Sequence, residues 1–143
     1  ASRGAILGLT FSTTRTDLAV AILEGLTYEL RLNLDLLRDG GVAIDVLRAI
    51  GGGARSKLWL QLKADITGIP VITPRITEAA AFGAALLAGT GAGLWGSAAE
   101  GAERFLELTD RYEPDPARHA AYSEVYERYR EVYPATAPIS HRL

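Results

Sequence analysis

The sequence predicts an α/β fold in which short parallel strands alternate with helices. Two segments rich in Val, Ile and Leu, residues 42–50 and 69–73, are each followed by a segment typical of a helix. A parallel pair of strands needs a crossover connection, and that connection is usually a helix. The chain has 143 residues, 48% of them hydrophobic, which is enough for one compact domain with a real core.

The first predicted helix covers residues 17–38, where two hydrophobic patterns compete. One alternates with polar residues, as in a half-buried strand: Leu26, Tyr28, Leu30, Leu32, Leu34 and Leu36. The other steps by three and four, as on one helix face: Ala19, Leu23, Leu26, Leu30, Leu34 and Leu37. Because Leu, Glu and Arg are strong helix formers, the helix is favoured, with Asp17 as its cap and Gly40 and Gly41 at its end.

A strand, a turn and a helix are predicted next. Residues 42–50 are typical of a buried strand that runs into a tight glycine turn. Ser56 is expected to cap the helix that follows, and Gly68 to end it near Thr67. The apolar face of this helix contains Leu58, Trp59, Leu62 and Ile66.

A second strand and an alanine-rich helix are predicted after it. Residues 69–73 form the strand, and Pro70 and Pro74 mark either an edge strand or the strand's ends. Residues 77–88 are rich in alanine, six of the twelve, with Gly83 inside, so we expect a helix against which another backbone packs very closely.

Two helices are predicted in the last third of the chain. Ser97 and Glu100 form a capping box that opens the first, which extends to about Leu108. Asp115 and the proline after it begin the second, and Pro134 ends it. One face of the last helix is aromatic: His119, Tyr122, Tyr126, Tyr129 and Tyr133.

The predicted sheet has only two strands, fewer than an independent α/β sheet usually contains. Residues 5–11 are expected to supply a third, or chain outside this sequence to complete the sheet. An incomplete sheet would expose a hydrogen-bonding edge.

The composition argues against several classes of function. Fifteen basic and seventeen acidic residues give a formal net charge of -2, so neither nucleic acid nor an anionic membrane is an expected partner. The chain has no cysteine, which excludes disulfides and thiol chemistry and fits the cytoplasm. No run approaches the roughly 18 apolar residues of a membrane span, and no signal peptide is recognised, so a soluble protein is expected. The opening without methionine indicates either a fragment or methionine removal.

The strongest local signal for a binding site is the turn Gly51-Gly52-Gly53-Ala54-Arg55-Ser56. Glycines let a backbone approach a phosphate or sugar closely, and a helix start directs N–H groups and positive dipole toward it. Ser56 adds a hydroxyl donor. The same residues are equally consistent with a capped strand-to-helix connection that binds no ligand. They match neither the phosphate-loop motif nor the dinucleotide-binding fingerprint.

The other polar and aromatic candidates are assigned structural roles. His119 and His141 lack partners at metal-ligand spacing, so no metal site is predicted. Asp65 and Glu24 are expected to be helix charges, and the tyrosine stripe to be core or interface. Packing roles are also expected for the two tryptophans, Trp59 and Trp95.

Several segments, in order, resemble the signatures of the FGGY family of carbohydrate kinases. The first begins Gly4-Ala5-Ile6-Leu7-Gly8-Leu9 and continues, after seven residues, with Asp17-Leu18 and Ala21-Ile22-Leu23-Glu24. The second, similar to the family's adenosine motif, is Gly51-Gly52-Gly53-Ala54-Arg55-Ser56-Lys57-Leu58-Trp59-Leu60-Gln61 followed by Ala64-Asp65. The third is Glu78-Ala79-Ala80-Ala81-Phe82-Gly83-Ala84-Ala85-Leu86-Leu87-Ala88-Gly89. Tyr112-Glu113-Pro114-Asp115-Pro116 resembles the family's ending.

The resemblance implies a ribonuclease-H-like, actin-like fold of two lobes, with ATP and a sugar bound between them. This chain would be the C-terminal, nucleotide-binding lobe over residues 1–133, in part, with a flexible tail over 134–143. The helix with Glu78 and Gly83 would pack near the hinge, where the simplest role for the carboxylate is to sit favourably at a helix start. By motif position the nucleotide-binding residues would be Gly8, Ser12, Gly51, Gly52, Gly53 and Ser56.

The resemblance also implies what this chain does not supply. The family's first lobe carries the phosphate-binding turn, the sugar contacts and the aspartate that acts as general base, so no catalytic residue is assigned here. Mg²⁺ is expected in the full enzyme, with its ligands outside this chain. Since the base alone contributes about 10²–10⁴-fold to such a transfer, the isolated chain is expected to be inactive.

Three functions follow from these observations. The first is an ATP-dependent kinase that phosphorylates a sugar or polyol hydroxyl, most similar to xylulose kinases, with this chain binding ATP or ADP. The second is a non-catalytic or regulatory nucleotide-binding protein that retains the actin-like second lobe. The third is a structural remnant whose sheet edge pairs with a partner. Self-association, for instance as a homodimer, is expected through that edge or through exposed apolar surface.

Overall fold

The computed structural model describes residues 4–142, which form five α-helices, one 3-10 turn and one sheet of three strands. The elements are α1 (Arg15–Asp39), β1 (Leu47–Arg48), α2 (Lys57–Thr67), β2 (Val71–Pro74), α3 (Ala79–Gly91), α4 (Ala98–Phe105), β3 (Leu108–Tyr112) and α5 (Pro116–Ser140). They divide into two compact units: the first contains residues 4–44, 65–68 and 114–142, and the second contains residues 45–64 and 69–113.

The sheet of the second unit has the strand order β1-β2-β3. β1 and β2 are parallel, with Leu47 opposite Val71, which confirms the predicted strand, helix, strand sequence. β3 pairs antiparallel with β2, placing Arg111 opposite Ile72. β2 is therefore the central strand, so the edge-strand interpretation of its prolines is wrong, although Pro74 does mark its end.

Two strand predictions and the end of one helix need correction. The strand expected over residues 42–50 contains only Leu47 and Arg48 in the ladder, and neither is fully buried. Residues 5–11 form no strand. The third strand is β3 instead, in a segment where the preceding helix was expected to reach about Leu108; that helix, α4, ends at Phe105.

The core of the second unit forms between α2 and the sheet. Leu60, Ala64 and Val71 are almost fully buried, and they are covered at the sides by Leu47, Ala49 and Tyr112. Ser56 caps α2 as predicted, because its Oγ accepts a hydrogen bond from the Trp59 N–H at 3.3 Å. Leu58, expected on the apolar face, is 68% exposed.

The ring of Trp95 fills the space between α3 and α4. Its Nε1–H donates to the Leu86 carbonyl at 2.9 Å, and the ring lies directly against the backbone of Gly89 and Gly101. Trp95 is thus a packing residue, as predicted. At Gly83 no described heavy atom lies within 4 Å of the place its Cβ would take, so the close approach expected along this helix is not found at Gly83 within residues 4–142.

In the first unit, α1 begins with a capping box that differs from the predicted cap. Thr14 is the N-cap, and Asp17 occupies the third helical position, where its carboxylate accepts from the Thr14 N–H at 2.8 Å. Hydrogen bonds from the Thr14 backbone and side chain hold the pKa of Asp17 below its usual value. The predicted end is confirmed, because Gly40 is the C-cap.

Helix α5 packs its tyrosine face against α1. Tyr28 of α1 contacts three tyrosine rings of α5, with centroid distances of 5.2–6.4 Å: Tyr122, Tyr126 and Tyr129. The hydroxyl of Tyr126 donates to Asp35 at 2.7 Å. The predicted packing role of the stripe is therefore confirmed for these residues. The helix end predicted at Pro134 is wrong, because α5 continues through Pro134 to Ser140.

A buried carboxylate fixes the start of α5. Asp65, expected to be a helix charge, is 0% exposed. Its Oδ1 accepts from the Asp115 N–H at 3.0 Å, and its Oδ2 pairs with Arg118 at 3.1 Å. His119 adds a bond from its ring Nδ1 to the Asp65 carbonyl at 2.9 Å, and its ring lies over Gly68, which has φ +68°. Asp65 is thus a structural anchor.

The substitution Tyr28→Phe is expected to raise the free energy of unfolding by about 1 kcal/mol. The Tyr28 hydroxyl is buried and has no hydrogen-bond partner within residues 4–142, so its removal relieves a desolvation cost. Burial also raises its pKa, so the neutral form is favoured in the folded state. As pH rises above about 10, Tyr28 ionises in the unfolded chain before it ionises in the folded one, so the free energy of unfolding falls.

Urea unfolding at neutral pH and near pH 10.5 measures both effects. Tyr126→Phe is the matched control, because it removes a hydroxyl that bonds Asp35, and we expect it to destabilise by about 1 kcal/mol. The alkaline loss of stability is expected to be smaller in Tyr28→Phe than in the parent. A Tyr28→Phe protein destabilised as much as the control would contradict the prediction.

Candidate functional site

The glycine turn follows β1 and leads into α2. Gly51 has φ 74° and ψ -165°, a combination that is essentially restricted to glycine. Gly52–Arg55 then form one 3-10 turn, in which the Ala54 N–H donates to the Gly51 carbonyl at 3.1 Å. The first glycine is therefore required for the direction in which the chain leaves the strand.

One side of the turn is open and the other rests on side chains. A Cβ atom on Gly51 or Gly52 would meet no heavy atom of residues 4–142 within 4 Å. A Cβ on Gly53 would lie 3.1 Å from the ring of Trp59. Trp59 therefore packs against the turn at Gly53, in keeping with its predicted packing role. Gly51 and Gly52 leave room for a ligand to approach the backbone.

A lysine of α2 lies beside the supporting ring. The Lys63 ammonium is 4.2 Å from the centroid of Trp59, a cation–π distance, and 3.7 Å from the position of a Cβ on Gly53. Burial lowers the pKa of Lys63. Trp59 and Lys63 thus form an aromatic and cationic surface against Gly53.

The start of α2 supplies hydrogen-bond donors at the turn. The Ser56 oxygen accepts from the N–H of Trp59, which leaves the hydroxyl proton available for donation. The first N–H groups of a helix point outward, with the positive end of the helix dipole. Donors of this kind bind anionic or hydroxyl oxygens of a ligand.

The turn is joined to the segment that precedes α3. The Gly51 N–H donates to the Thr77 carbonyl at 2.8 Å, and Arg55 Nη2 pairs with Glu78 Oε1 at 2.8 Å. Glu78 is the N-cap residue of α3, which confirms its predicted position at the start of a helix. The ion pair with Arg55 was not predicted, because the two residues are 23 positions apart in the sequence.

The predicted nucleotide-binding residues fall into two groups. Gly51, Gly52, Gly53 and Ser56 lie together in the second unit. Gly8 and Ser12 belong to the first unit. Both are exposed, Gly8 has φ 79°, and the Ser12 hydroxyl lies 2.9 Å from that of Thr10 in the turn before α1.

The groups gathered at the glycine turn are hydrogen-bond donors and acceptors. Among residues 4–142, no three His, Cys, Asp or Glu side chains are grouped where they could hold a metal ion. Within the same residues, no helix is long and apolar enough to cross a membrane. The open glycine backbone, the Ser56 hydroxyl and the α2 start are suited to holding a polar ligand by hydrogen bonds.

Comparison with known proteins places these features in one family. The family model "FGGY family of carbohydrate kinases, C-terminal domain" matches residues 1–92. Xylulose kinase of Staphylococcus epidermidis is 33% identical over 141 residues, which are 99% of this chain and 28% of that protein. The chain therefore spans somewhat more than a quarter of that relative's length.

Two solved structures show the same arrangement of elements. Ligand-bound xylulose kinase of Lactobacillus acidophilus superposes with a TM-score of 0.86 at 26% identity, over 99% of this chain and 29% of that one. Glycerol kinase of Plasmodium falciparum, solved with ADP, gives a TM-score of 0.73 at 27% identity, over 91% of this chain and 26% of that one. The predicted fold, the C-terminal portion of a ribonuclease-H-like, actin-like lobe, is confirmed.

Proposed function

The chain belongs to the FGGY family of carbohydrate kinases, and from this we propose that it forms the adenosine-binding side of an ATP-dependent sugar kinase. The enzyme would transfer the γ-phosphoryl group of ATP to a hydroxyl of a sugar or polyol. We propose a xylulose-like substrate, which is supported by relatives named xylulose kinase that match 99% of the chain.

The observation that carries the nucleotide role is the open glycine turn. Gly51 and Gly52 leave their backbone uncovered, and Ser56 and the start of α2 offer donors beside it. A flat base or a ribose can approach such a backbone closely, since no side chain intervenes. The ADP named for the Plasmodium falciparum glycerol kinase structure supports the same ligand class.

We assign the bond-breaking steps to other parts of the enzyme. Phosphoryl transfer requires a base on the accepting hydroxyl and a metal ion at the phosphates. We propose that the base, the sugar contacts and the Mg²⁺ ligands lie outside this chain. The isolated chain is therefore proposed to bind nucleotide without phosphorylating sugar. Its nucleotide-binding lobe is proposed to cover residues 1–133, with Gly8 and Ser12 near the nucleotide.

The substitution Gly52→Val is expected to weaken binding of ADP and ATP by about tenfold or more. The isopropyl group would project into the open space beside the turn, where the ligand is proposed to lie. The fold accommodates it, because nothing within the described chain lies in contact distance and Gly52 does not have positive φ. Calorimetric titration of the parent and the variant with both nucleotides measures the change.

The control for this titration is Gly91→Val. Gly91 ends α3, is exposed, and likewise has open space at its Cβ position. Because α3 extends about 18 Å from its start near the turn, the control residue is remote from the proposed site. We expect the control to bind like the parent. Equal affinity in Gly52→Val and parent would place the nucleotide elsewhere, and a folded parent that binds neither nucleotide would contradict the proposed role of this chain.

A further inference from the structure

Two bonds of different kinds connect the glycine turn to the start of α3. One is the backbone bond from the Gly51 N–H to the Thr77 carbonyl. The other is the ion pair between Arg55 and Glu78. They lie at opposite ends of the turn, so together they tie both its first and its last part to the same neighbouring segment.

The position of Glu78 makes the ion pair notable. An N-cap carboxylate can accept hydrogen bonds from the first N–H groups of its own helix. Within residues 4–142, the Glu78 side chain makes no such capping bond and is paired with Arg55 instead. The carboxylate is thus used for the contact with the turn rather than for the helix that it begins.

The ion pair contributes little to global stability. Its two side chains are 70% and 65% exposed, and exposed pairs are usually weak and screened by salt. Its effect is therefore expected in the local conformation of the turn. Three consecutive glycines have unusually large backbone freedom, and a ligand that requires one conformation of them must bear the cost of ordering.

We propose that Arg55 and Glu78 are positioning residues of the nucleotide site. The pair holds the turn against the start of α3 and keeps the Gly51 N–H on the Thr77 carbonyl. The backbone at Gly52 is therefore already in its binding conformation before the nucleotide arrives. This inference rests on the proposed adenosine-binding role of the turn. It assigns neither residue to the chemistry of phosphoryl transfer.

The test uses Arg55→Gln, Glu78→Gln and the charge-reversed double variant R55E/E78R. In the absence of nucleotide, each single variant is expected to exchange its Gly51 and Ala54 amide hydrogens about three- to fivefold faster. ADP affinity measured by calorimetry is expected to fall by about the same factor. The double variant is expected to restore both values, since its exchanged charges can form the ion pair again in reverse. Its helix-dipole effects cancel, because an acidic residue near the α2 start is favourable and a basic one at the α3 start is unfavourable.

The matched control is a second exposed ion pair in the same unit. Arg75 and Glu107 are 2.8 Å apart, with side chains 72% and 64% exposed. Arg75→Gln and Glu107→Gln are expected to leave exchange at the turn and ADP affinity at parental values. A general effect of surface charge would change all four single variants alike and would overturn the inference.

The two readouts separate this inference from the proposed function. A parent that binds ADP, with unchanged exchange and affinity in Arg55→Gln and Glu78→Gln, would overturn the positioning role and leave the binding role intact. Faster exchange in both variants, with rescue in the double variant and no ADP binding by any protein, would show that the ion pair orders the turn. It would also overturn the link between that order and nucleotide binding.

Discussion

Replacing Gly89 by alanine is expected to lower the free energy of unfolding by about 3 kcal/mol. A Cβ on Gly89 would lie 2.6 Å from Cε2 of Trp95 and closer still to two other ring atoms. The ring has little room to move, because Gly101 also lies against it and the Leu86 carbonyl holds its Nε1–H. The clash therefore has to be relieved by separating α3 from α4.

Urea unfolding measures the loss, and Gly83→Ala is its matched control. Gly83 lies in the same helix with open space at its Cβ position, so alanine there is expected to stabilise by about 0.5–1 kcal/mol. The double variant with Trp95→Ala tests the mechanism. Because the clash disappears with the ring, the double variant is expected to be about as stable as Trp95→Ala alone. Additive losses would contradict this explanation.

The substitution Asp65→Ala is expected to destabilise the chain by about 3 kcal/mol. It removes a fully buried acceptor of the Asp115 N–H and the partner of the Arg118 guanidinium. Since Asp115 is the N-cap of α5, the start of this helix loses its attachment to the end of α2. The effect is expected to include faster hydrogen exchange in the first turns of α5.

Two variants separate the contributions to this anchor. Asp65→Asn keeps an oxygen for the Asp115 N–H and loses only the charge, so its loss is expected to be smaller than that of alanine. Arg118→Gln removes a side chain that is 65% exposed, and at most about 1 kcal/mol is expected. Unfolding by urea ranks the three proteins. An Arg118→Gln loss as large as that of Asp65→Ala would show that the ion pair, and not the backbone bond, holds α5.

Local signals in the sequence were sufficient to predict about half of the helix ends. Ser56, Gly40 and Asp115 act through contacts with residues two to four positions away, so their roles are readable from adjacent sequence. The same logic selected Asp17 as a cap. The sequence Thr14 to Asp17 contains both halves of a capping box, and the structure assigns the cap to Thr14.

Elements defined by distant partners were not predicted. β3 consists of mostly exposed residues and becomes a strand only because it pairs with β2, more than 30 residues earlier. Asp65 is buried because residues 50 positions later fold over it. Neither relation leaves a periodic pattern in the sequence.

The candidate site shows the same division. The glycine run, the helix start after it and the family resemblance identified the turn from adjacent residues. Its attachment to Thr77 and Glu78 depends on β1 and β2 being parallel neighbours, which brings their carboxyl ends to one edge of the sheet. The pairing of Arg55 with Glu78 is a consequence of that topology and is visible only in three dimensions.

The aromatic residues are divided between the units in a way that separates their optical signals. Both tryptophans, Trp59 beneath the glycine turn and Trp95 between α3 and α4, belong to the second unit, whereas the stacked tyrosines belong to the first. Indole fluorescence therefore follows the second unit alone, while far-ultraviolet circular dichroism follows the helices of both. If the two signals are lost at the same urea concentration, the units unfold as one cooperative structure; separate midpoints would identify the unit that unfolds first.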